Sequence, residues 1–290
     1  MRSQLSIRGG VYQACVIAVL LVLALSVIIP LLLTISSSFA DSKELLMRGA
    51  VLWPKNWTLE AYRFLLDNDQ FTQSFRNAVL ITVVGTAINM VLSVLMAYGL
   101  AQPGVKGRTV VNFMVLFTML FHGGMIPTYL VVNELGLIDS YWSIWLVNAI
   151  TPFNMIIIRS YFQTLPKELQ ESARIDGCGE FSILRRIILP ISMPTIVTFT
   201  LFYTVANWNT YFQAILYLND SNRYPLQVFL RQVLIVNPSE LGLSVTDSGL
   251  LYTPAVRHAV ILLAALPLIA VYPFMQKHFS KGMMVGSIKG

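Results

Sequence analysis

Residues 165–190 read Leu165-Pro-Lys-Glu-Leu-Gln-Glu-Ser-Ala-Arg-Ile-Asp-Gly-Cys-Gly-Glu-Phe-Ser-Ile-Leu-Arg-Arg-Ile-Ile-Leu-Pro190. The pattern predicts two short helices rather than a loop. Pro166 suits a first helical turn, Glu168 complements the positive end of a helix dipole, and Leu165, Leu169, Ser172 and Ala173 recur at helical spacing. Asp176-Gly177 then supplies a stop, because glycine reaches positive φ without a Cβ penalty. In the second helix Phe181, Leu184 and Ile188 are expected to share a face away from Arg185 and Arg186. Pro190 is expected to open the next apolar segment, where its missing N–H costs nothing. The stretch therefore predicts a helix-turn-helix ledge set between apolar segments.

Those segments decide the fold class. Of the 290 residues, 56% are hydrophobic and only 12% charged, and the mean hydropathy is +0.66, which excludes a water-soluble surface. A bilayer core needs roughly 20 consecutive apolar residues per helix. Six runs meet that need: Cys15 to Ser36, Phe75 to Ala101, Thr109 to Val131, Trp142 to Ser160, Pro190 to Leu218, and Val256 to Gln276. The expectation is an all-α integral membrane protein with six transmembrane helices. Ser38-Phe39-Ala40 has the small-x-small form of a signal-peptidase site, but the run before it exceeds the roughly 7 to 15 residues of a signal h-region, so a retained first span is expected. With both termini inside, only Glu168, Glu171, Asp176 and Glu180 of the 14 acidic residues lie inside. They face Arg2, Arg8, Lys106, Arg108, Arg159, Lys167, Arg174, Arg185, Arg186, Lys277, Lys281 and Lys289 of the 20 basic ones. The net charge of +6 thus follows the positive-inside rule rather than nucleic-acid binding. Gly85, Pro127, Pro152, Pro194, Pro267 and Pro273 lie within spans, as a packed helical bundle in a membrane tolerates.

Several chemistries are excluded. Cys15 and Cys178 share no metal or redox spacing, and His122, His258 and His278 are scattered, so no metal site is expected. There is no Gly-x-x-x-x-Gly-Lys-Ser/Thr phosphate loop, no His-Glu-x-x-His, no Gly-x-Ser-x-Gly and no intramembrane carboxylate pair for a proton relay. Arg76, Arg159 and Arg257 fall at span ends, where their heads snorkel to water.

At Glu171, Ala173, Asp176, Gly177, Ile187, Leu189 and Pro190 the chain resembles the EAA loop of binding-protein-dependent ABC importer permeases. That pattern is Glu-Ala-Ala, then Asp-Gly, then Ile-x-Leu-Pro. Ser172 stands at an alanine position, and Cys178 and Gly179 replace residues that are more often alanine and serine. The likeness continues through Trp53-Pro-Lys-Asn-Trp-Thr-Leu-Glu-Ala-Tyr62, Gly123-Gly-Met-Ile-Pro127, Leu135-Gly-Leu137 and Gly286-Ser-Ile-Lys-Gly290, which look like the carbohydrate branch, LplC/YtcP-like. The resemblance implies the type I ABC importer permease fold in a bacterial cytoplasmic (inner) membrane, both termini cytoplasmic. It divides the chain into a tail, first helix and extracytoplasmic loop (1–72), a permease domain (73–277) with the coupling loop at 165–190, and a cytoplasmic tail (278–290) that either reaches towards the ATPases or is a frayed terminus. It also implies that the ledge is the coupling helix, seated in a groove of a partner ATPase: Glu171 contacts a basic residue there, Ala173 allows close approach and Gly177 makes the turn. The implied assembly has a second, related permease (a second copy of this chain being the alternative), two ATPases and an extracytoplasmic solute-binding protein. ATP and Mg would be used by the ATPases; this chain would bind no cofactor and catalyse no covalent step.

A carbohydrate, with hydroxyl edges and weakly apolar ring faces, calls for amides and aromatic rings along its path. Asn207, Trp208, Asn209, Tyr211 and Gln213 begin about 17 residues beyond Pro190, roughly 25 Å along a helix, in the outer half of the membrane. Asn148 lies at a similar depth on the fourth span, and Asn154 deeper. These residues read equally as contacts of a sugar cavity or as interhelical hydrogen-bond glue and an interfacial aromatic belt. The substrate expected is an oligosaccharide, polysaccharide-derived or acidic. Other solutes of the importer class, an ion-coupled secondary transporter and a membrane scaffold are the alternatives.

Overall fold

A computed structural model describes residues 2–235 and 253–286, and among them every regular element is a helix, with one isolated bridge between Ala40 and Trp57. The chain forms two compact units, one built from residues up to Asp69 with Leu230–Leu266, the other from Gln70–Phe229 with the chain from Pro267 onward.

In the first unit α1 (Arg2–Ser38) is a single helix covering the first predicted span. Its segment Tyr12–Ser38 has a mean hydropathy of 3.2 and exposes leucine, valine and isoleucine on all sides, as suits a helix bathed in hydrocarbon. Asp41 caps α2 (Ser42–Arg48) by accepting from the Lys43 amide at 3.0 Å. The connection to α3 (Glu60–Asp67) is tied back by Glu44, which accepts the Lys55 amide and pairs with Arg48. The Ser38 and Tyr62 hydroxyls share a 2.6 Å hydrogen bond.

The axis of the second unit is α4 (Asp69–Ala101), 33 residues or roughly 50 Å long. Its buried face is rich in small and polar residues, Ser74, Asn77, Thr82, Gly85, Thr86, Asn89, Ser93 and Ala97, set among larger ones such as Phe71, Ile81 and Tyr98. Lipid tails supply no hydrophobic drive between helices, so close backbone approach and interhelical hydrogen bonds hold such bundles together.

Three of the six predicted spans are bent rather than straight. Thr109 to Val131 divides into α5 (Arg108–Leu120) and α6 (Met125–Glu134), which turn by 120°. Phe121 ends α5 in extended conformation, Gly124 at φ +90° leads into α6, and Pro127 in the first turn of α6 needs no donor. Trp142 to Ser160 divides into α7 (Tyr141–Val147) and α8 (Pro152–Thr164), bent by 50° ahead of Pro152. The fifth span does not begin at Pro190, which lies inside the helical run Glu180–Ile191; the chain turns by 87° at Ser192 and α12 runs Met193–Trp208. A break at Asn209–Tyr211 precedes α13 (Phe212–Tyr217). Among the described residues three helices are thus long and apolar enough to cross a membrane alone, and the three bent pairs bring the number to six if each makes one span. The last span lies within α15 (Pro254–Gly286), which passes Pro267 and Pro273 unbroken. Among the described residues three α-helices were not expected: α2 and α3 between the first two spans, and α14 (Leu226–Ile235). Of the expected tail 278–290, residues up to Gly286 continue α15, and 287–290 lie outside the described residues.

Val94, Ala97 and Tyr98 of α4, Met155, Ile158 and Phe162 of α8, Phe199 of α12 and the ledge residues Ile183, Leu184 and Ile188 form one apolar core. Higher up, the Tyr203 hydroxyl bonds Ser93 Oγ at 2.7 Å and accepts the Thr151 amide at 3.1 Å, joining α4, α12 and the α7–α8 break. Tyr203→Phe is expected to destabilise the bundle by about 1 kcal/mol, since intramembrane hydrogen bonds average about 0.6 kcal/mol each. A thermal melt in detergent reads this, and an unchanged midpoint would remove the hydroxyl from the account. Between α6 and α7, Asp139 accepts the amides of Asp220 (3.1 Å) and Asn219 (3.0 Å) and pairs with Arg223 (3.3 Å), which holds its carboxyl below the usual carboxylate range.

Candidate functional site

The ledge follows from where α8 stops. Leu165 caps that helix in extended conformation, and α9 (Glu168–Ile175) starts beyond Pro166, with Glu168 and Glu171 in its first turn. Because Leu165 is not helical it cannot set the phase of α9. Gln170 and Ala173 are the buried pair instead, and Leu169, Glu171 and Ser172 are exposed.

The turn is a Schellman motif. Gly177 sits at φ +82°, its amide donates to Arg174 O at 3.0 Å, and the Cys178 amide donates to Ala173 O at 2.9 Å. Asp176, between them, is exposed. The second ledge helix begins as α10 (Glu180–Ile183), widens into a π-turn at Leu184–Ile188 and closes as α11 (Leu189–Ile191). Pro190 has no N–H, and its ring crowds the carbonyl one turn back, which the wider turn relieves. Across a π-turn residues five apart share a face, so Ile183 rather than Phe181 lies with Ile188 in the core, and Phe181, expected there, is turned outward at 69% exposed. Ile187 and Leu189 are half-buried against that core, while Pro190 is exposed. Ile175, at 86% exposed, precedes the turn, and Phe181 follows it.

A polar cluster that the sequence reading passed over joins this ledge to α4. Glu180 accepts from Arg174 Nε at 2.7 Å and from the Tyr98 hydroxyl at 2.6 Å; Arg174 Nη2 also donates to Gln102 Oε1 at 3.0 Å, and Gln102 Nε2 to Gln170 Oε1 at 3.0 Å. The Arg174 bond, then the Tyr98 bond, holds the Glu180 carboxyl below the usual carboxylate range, and Glu180 in turn raises Arg174, so the pair is ionised at neutral pH. Beside the cluster lies a cavity of about 300 Å³ lined by Gln102, Arg108, Phe162, Lys167, Gln170 and Glu171 among others. No sequence motif marks this group, because its members lie up to 82 residues apart.

A second polar junction lies higher on α4. Asn207 Nδ2 donates to Asn89 Oδ1 at 2.8 Å and to Thr86 Oγ1 at 3.3 Å, and Asn89 Nδ2 donates to the carbonyls of Asn148 (2.6 Å) and Ala149 (3.0 Å). Asn89, which the sequence reading missed, thus brings Asn148 and Asn207 together. Trp208 is buried with its ring edge to face on Phe75, and Asn154 is buried. Asn209 is exposed and bonds only its own helix among the bonds described, to Val205 O; the Asn148 side chain is exposed as well. Tyr211 packs half-buried against the Ile81 and Ile144 cluster, and Gln213 is half-buried. Among the described residues no group of three or more His, Cys, Asp and Glu could hold a metal ion, and Cys15 and Cys178 are free thiols.

A family model described as the binding-protein-dependent transport system inner membrane component matches residues 89–285, which include both the ledge and Asn89. The chain belongs to that family. This permease is similar to Protein LplC of Bacillus subtilis (strain 168), 49% identical over 97% of the chain and 96% of that protein. It is similar also to the polygalacturonan/rhamnogalacturonan transport system permease protein YtcP of the same organism, 46% identical over 98% of the chain and all of that protein. Among solved structures it resembles a chain of a bacterial ABC transporter involved in the import of the acidic polysaccharide alginate, with a TM-score of 0.85 and 33% identity over 94% of this chain and 98% of that one. The permease therefore has the ABC importer permease fold.

Proposed function

We propose that this permease is one membrane half of an ATP-driven importer, moving an oligosaccharide across the bacterial cytoplasmic membrane after an extracytoplasmic binding protein delivers it. Partner ATPases use the ATP and Mg; this chain binds no cofactor and supplies the path and the lever. A second, related permease completes the path. Both termini and the ledge lie on the cytoplasmic side, in keeping with the basic residues that cluster there.

The observation that carries the reading is the ledge's outward surface. Around the Gly177 turn, Glu171, Ile175, Asp176 and Phe181 are exposed, while Ala173, Ile183 and Leu184 anchor the ledge in the core. Exposed apolar and acidic side chains on both sides of a turn closed by two backbone hydrogen bonds suit insertion into a groove of another protein. In this reading Glu171 meets a basic residue of the ATPase, Ser172 and Ala173 keep the approach close, and Ile187, Leu189 and Pro190 lead the motion into α12. Asn148, Asn154, Asn207, Trp208, Asn209, Tyr211 and Gln213 border the path, with exposed Asn209 and half-buried Tyr211 and Gln213 available to a sugar, and Asn207 framing it. The similarity to permeases of polygalacturonan/rhamnogalacturonan and alginate transport makes fragments of acidic polysaccharides the first substrates to test.

Glu171→Ala is expected to reduce ATPase co-purification and ATP-dependent uptake about tenfold or more, the scale of losing one charge-assisted contact in a buried interface. Unchanged association would sink the coupling role. A screen of ATP hydrolysis by the assembled complex, with its binding protein and a panel of oligosaccharides, tests the substrate. If no carbohydrate stimulated hydrolysis while an amino acid, phosphate or metal did, the sugar reading would fail.

A further inference from the structure

The ledge is continuous in the chain with α8 on one side and α12 on the other, but it reaches α4 only through side chains. The polar part of that contact converges on one group. Glu180 of the second ledge helix receives Arg174 from the first ledge helix and Tyr98 from α4, at 2.7 Å and 2.6 Å. The carboxylate therefore closes the two ledge helices on each other across the Gly177 turn and fastens both to α4. Gln102 and Gln170 extend the same contact by one more bond.

What α4 carries gives this fastening its meaning. Asn89 and Gly85 lie nine and thirteen residues before Tyr98, roughly 14 and 20 Å along the helix, and there they meet Asn207 and the α7–α8 break. One straight helix thus has the ledge at one end of this stretch and the polar junction of the bundle at the other.

We propose that Glu180 is a positioning residue of the transport cycle: by holding Arg174 and Tyr98 together it makes α4 move with the ledge, so that ATPase closure reaches the Asn89–Asn207 junction. The inference rests on the ledge being the ATPase contact. A shape-filling role would be met by any side chain of similar size. A fastening role requires the charge-assisted bonds themselves, which are about twice as strong as neutral ones and directional. Glu180→Gln retains the size and loses the charge, and Tyr98→Phe removes a single hydroxyl.

The test uses the full complex in nanodiscs, with N209C in a chain whose Cys15 and Cys178 are serine, labelled from outside by a membrane-impermeant maleimide. With the native cluster, the labelling rate is expected to change about tenfold or more between the ATP-free complex and the complex trapped with ATP and vanadate. In E180Q, R174Q and Y98F, vanadate still traps nucleotide and the ATPases still co-purify, but the labelling change falls to about twofold or less. The charge exchange R174E with E180R is expected to restore most of it. A full response in Y98F and E180Q overturns the proposal, and so does loss of response in R174Q without recovery in the exchange variant. If E180Q fails to assemble, Y98F decides alone. The Glu171→Ala complex separates the two readings: retained ATPases there mean the ledge assignment has failed, whereas released ATPases with an unaltered Y98F response mean that only the fastening has.

Discussion

Gly177→Pro is expected to abolish ATP-dependent uptake and to release the partner ATPases while leaving the permease in the membrane. The glycine lies at φ +82°, where a β-carbon costs about 1–2 kcal/mol, and its amide makes one of the two bonds that close the Schellman turn. Proline fixes φ near −65° and has no N–H, so it loses both features at once, with a cost of about 3 kcal/mol or more. No atom lies within 4 Å of the position a β-carbon would take, so crowding plays no part. The damage is therefore directional: α9 and α10 are re-aimed, and exposed Glu171 and Ile175 before the turn lose their native placement relative to exposed Phe181 after it. Gly177→Asn is the control, because asparagine visits the left-handed region readily and keeps the donor. It should retain most uptake. Co-purification of the ATPases with each variant reads the outcome, and equal retention by the proline and asparagine variants would show that the turn's geometry does not matter.

The second large effect is expected at Gly85. A β-carbon there would lie 2.9 Å from Asn207 Oδ1, 3.0 Å from its Cγ and 3.1 Å from its Nδ2. Asn207 has nowhere to shift without giving up its 2.8 Å bond to Asn89, which itself holds the carbonyls of Asn148 and Ala149. Overpacking of this kind costs about 1–3 kcal/mol, more than the roughly 0.6 kcal/mol of an average intramembrane hydrogen bond, so the steric effect dominates. Gly85→Ala should lower the thermal midpoint in detergent by more than Tyr203→Phe does, and Gly85→Leu should prevent stable assembly. Truncating Asn207 makes room, so Gly85→Ala with Asn207→Ala should be less damaging than the two changes added, with a coupling of about 1 kcal/mol or more. Simple additivity would mean that the two side chains do not meet.

These two sites differ in how much the sequence discloses. Gly177 is legible because its requirement is local: an Asp-Gly pair after an eight-residue amphipathic stretch has few other uses. Gly85 reads only as a glycine inside a span. Its need arises from Asn207, 122 positions away in the chain, and nothing in either neighbourhood announces the other. The same holds for Tyr98 and Glu180, whose own neighbourhoods read as a span end and a ledge. Phe181 shows a different limit, since helical periodicity assumes 3.6 residues per turn and one π-turn before Pro190 re-phased the face. The bent spans fall between these cases: Pro127 and Pro152 were visible as disturbances, but a proline in a membrane helix is as compatible with unbroken passage, as Pro267 and Pro273 show in α15.

By itself the sequence determined the class of molecule, the number of apolar segments and the existence and place of the ledge, because hydropathy, charge asymmetry and turn chemistry are summed over neighbours in the chain. The tertiary structure alone decided which amides face each other, where Glu180 finds its two donors, and that Phe181 rather than Ile183 faces outward. Those outcomes depend on the phase and bend of helices packed together, and an error of one residue per turn is enough to exchange a buried face for an exposed one.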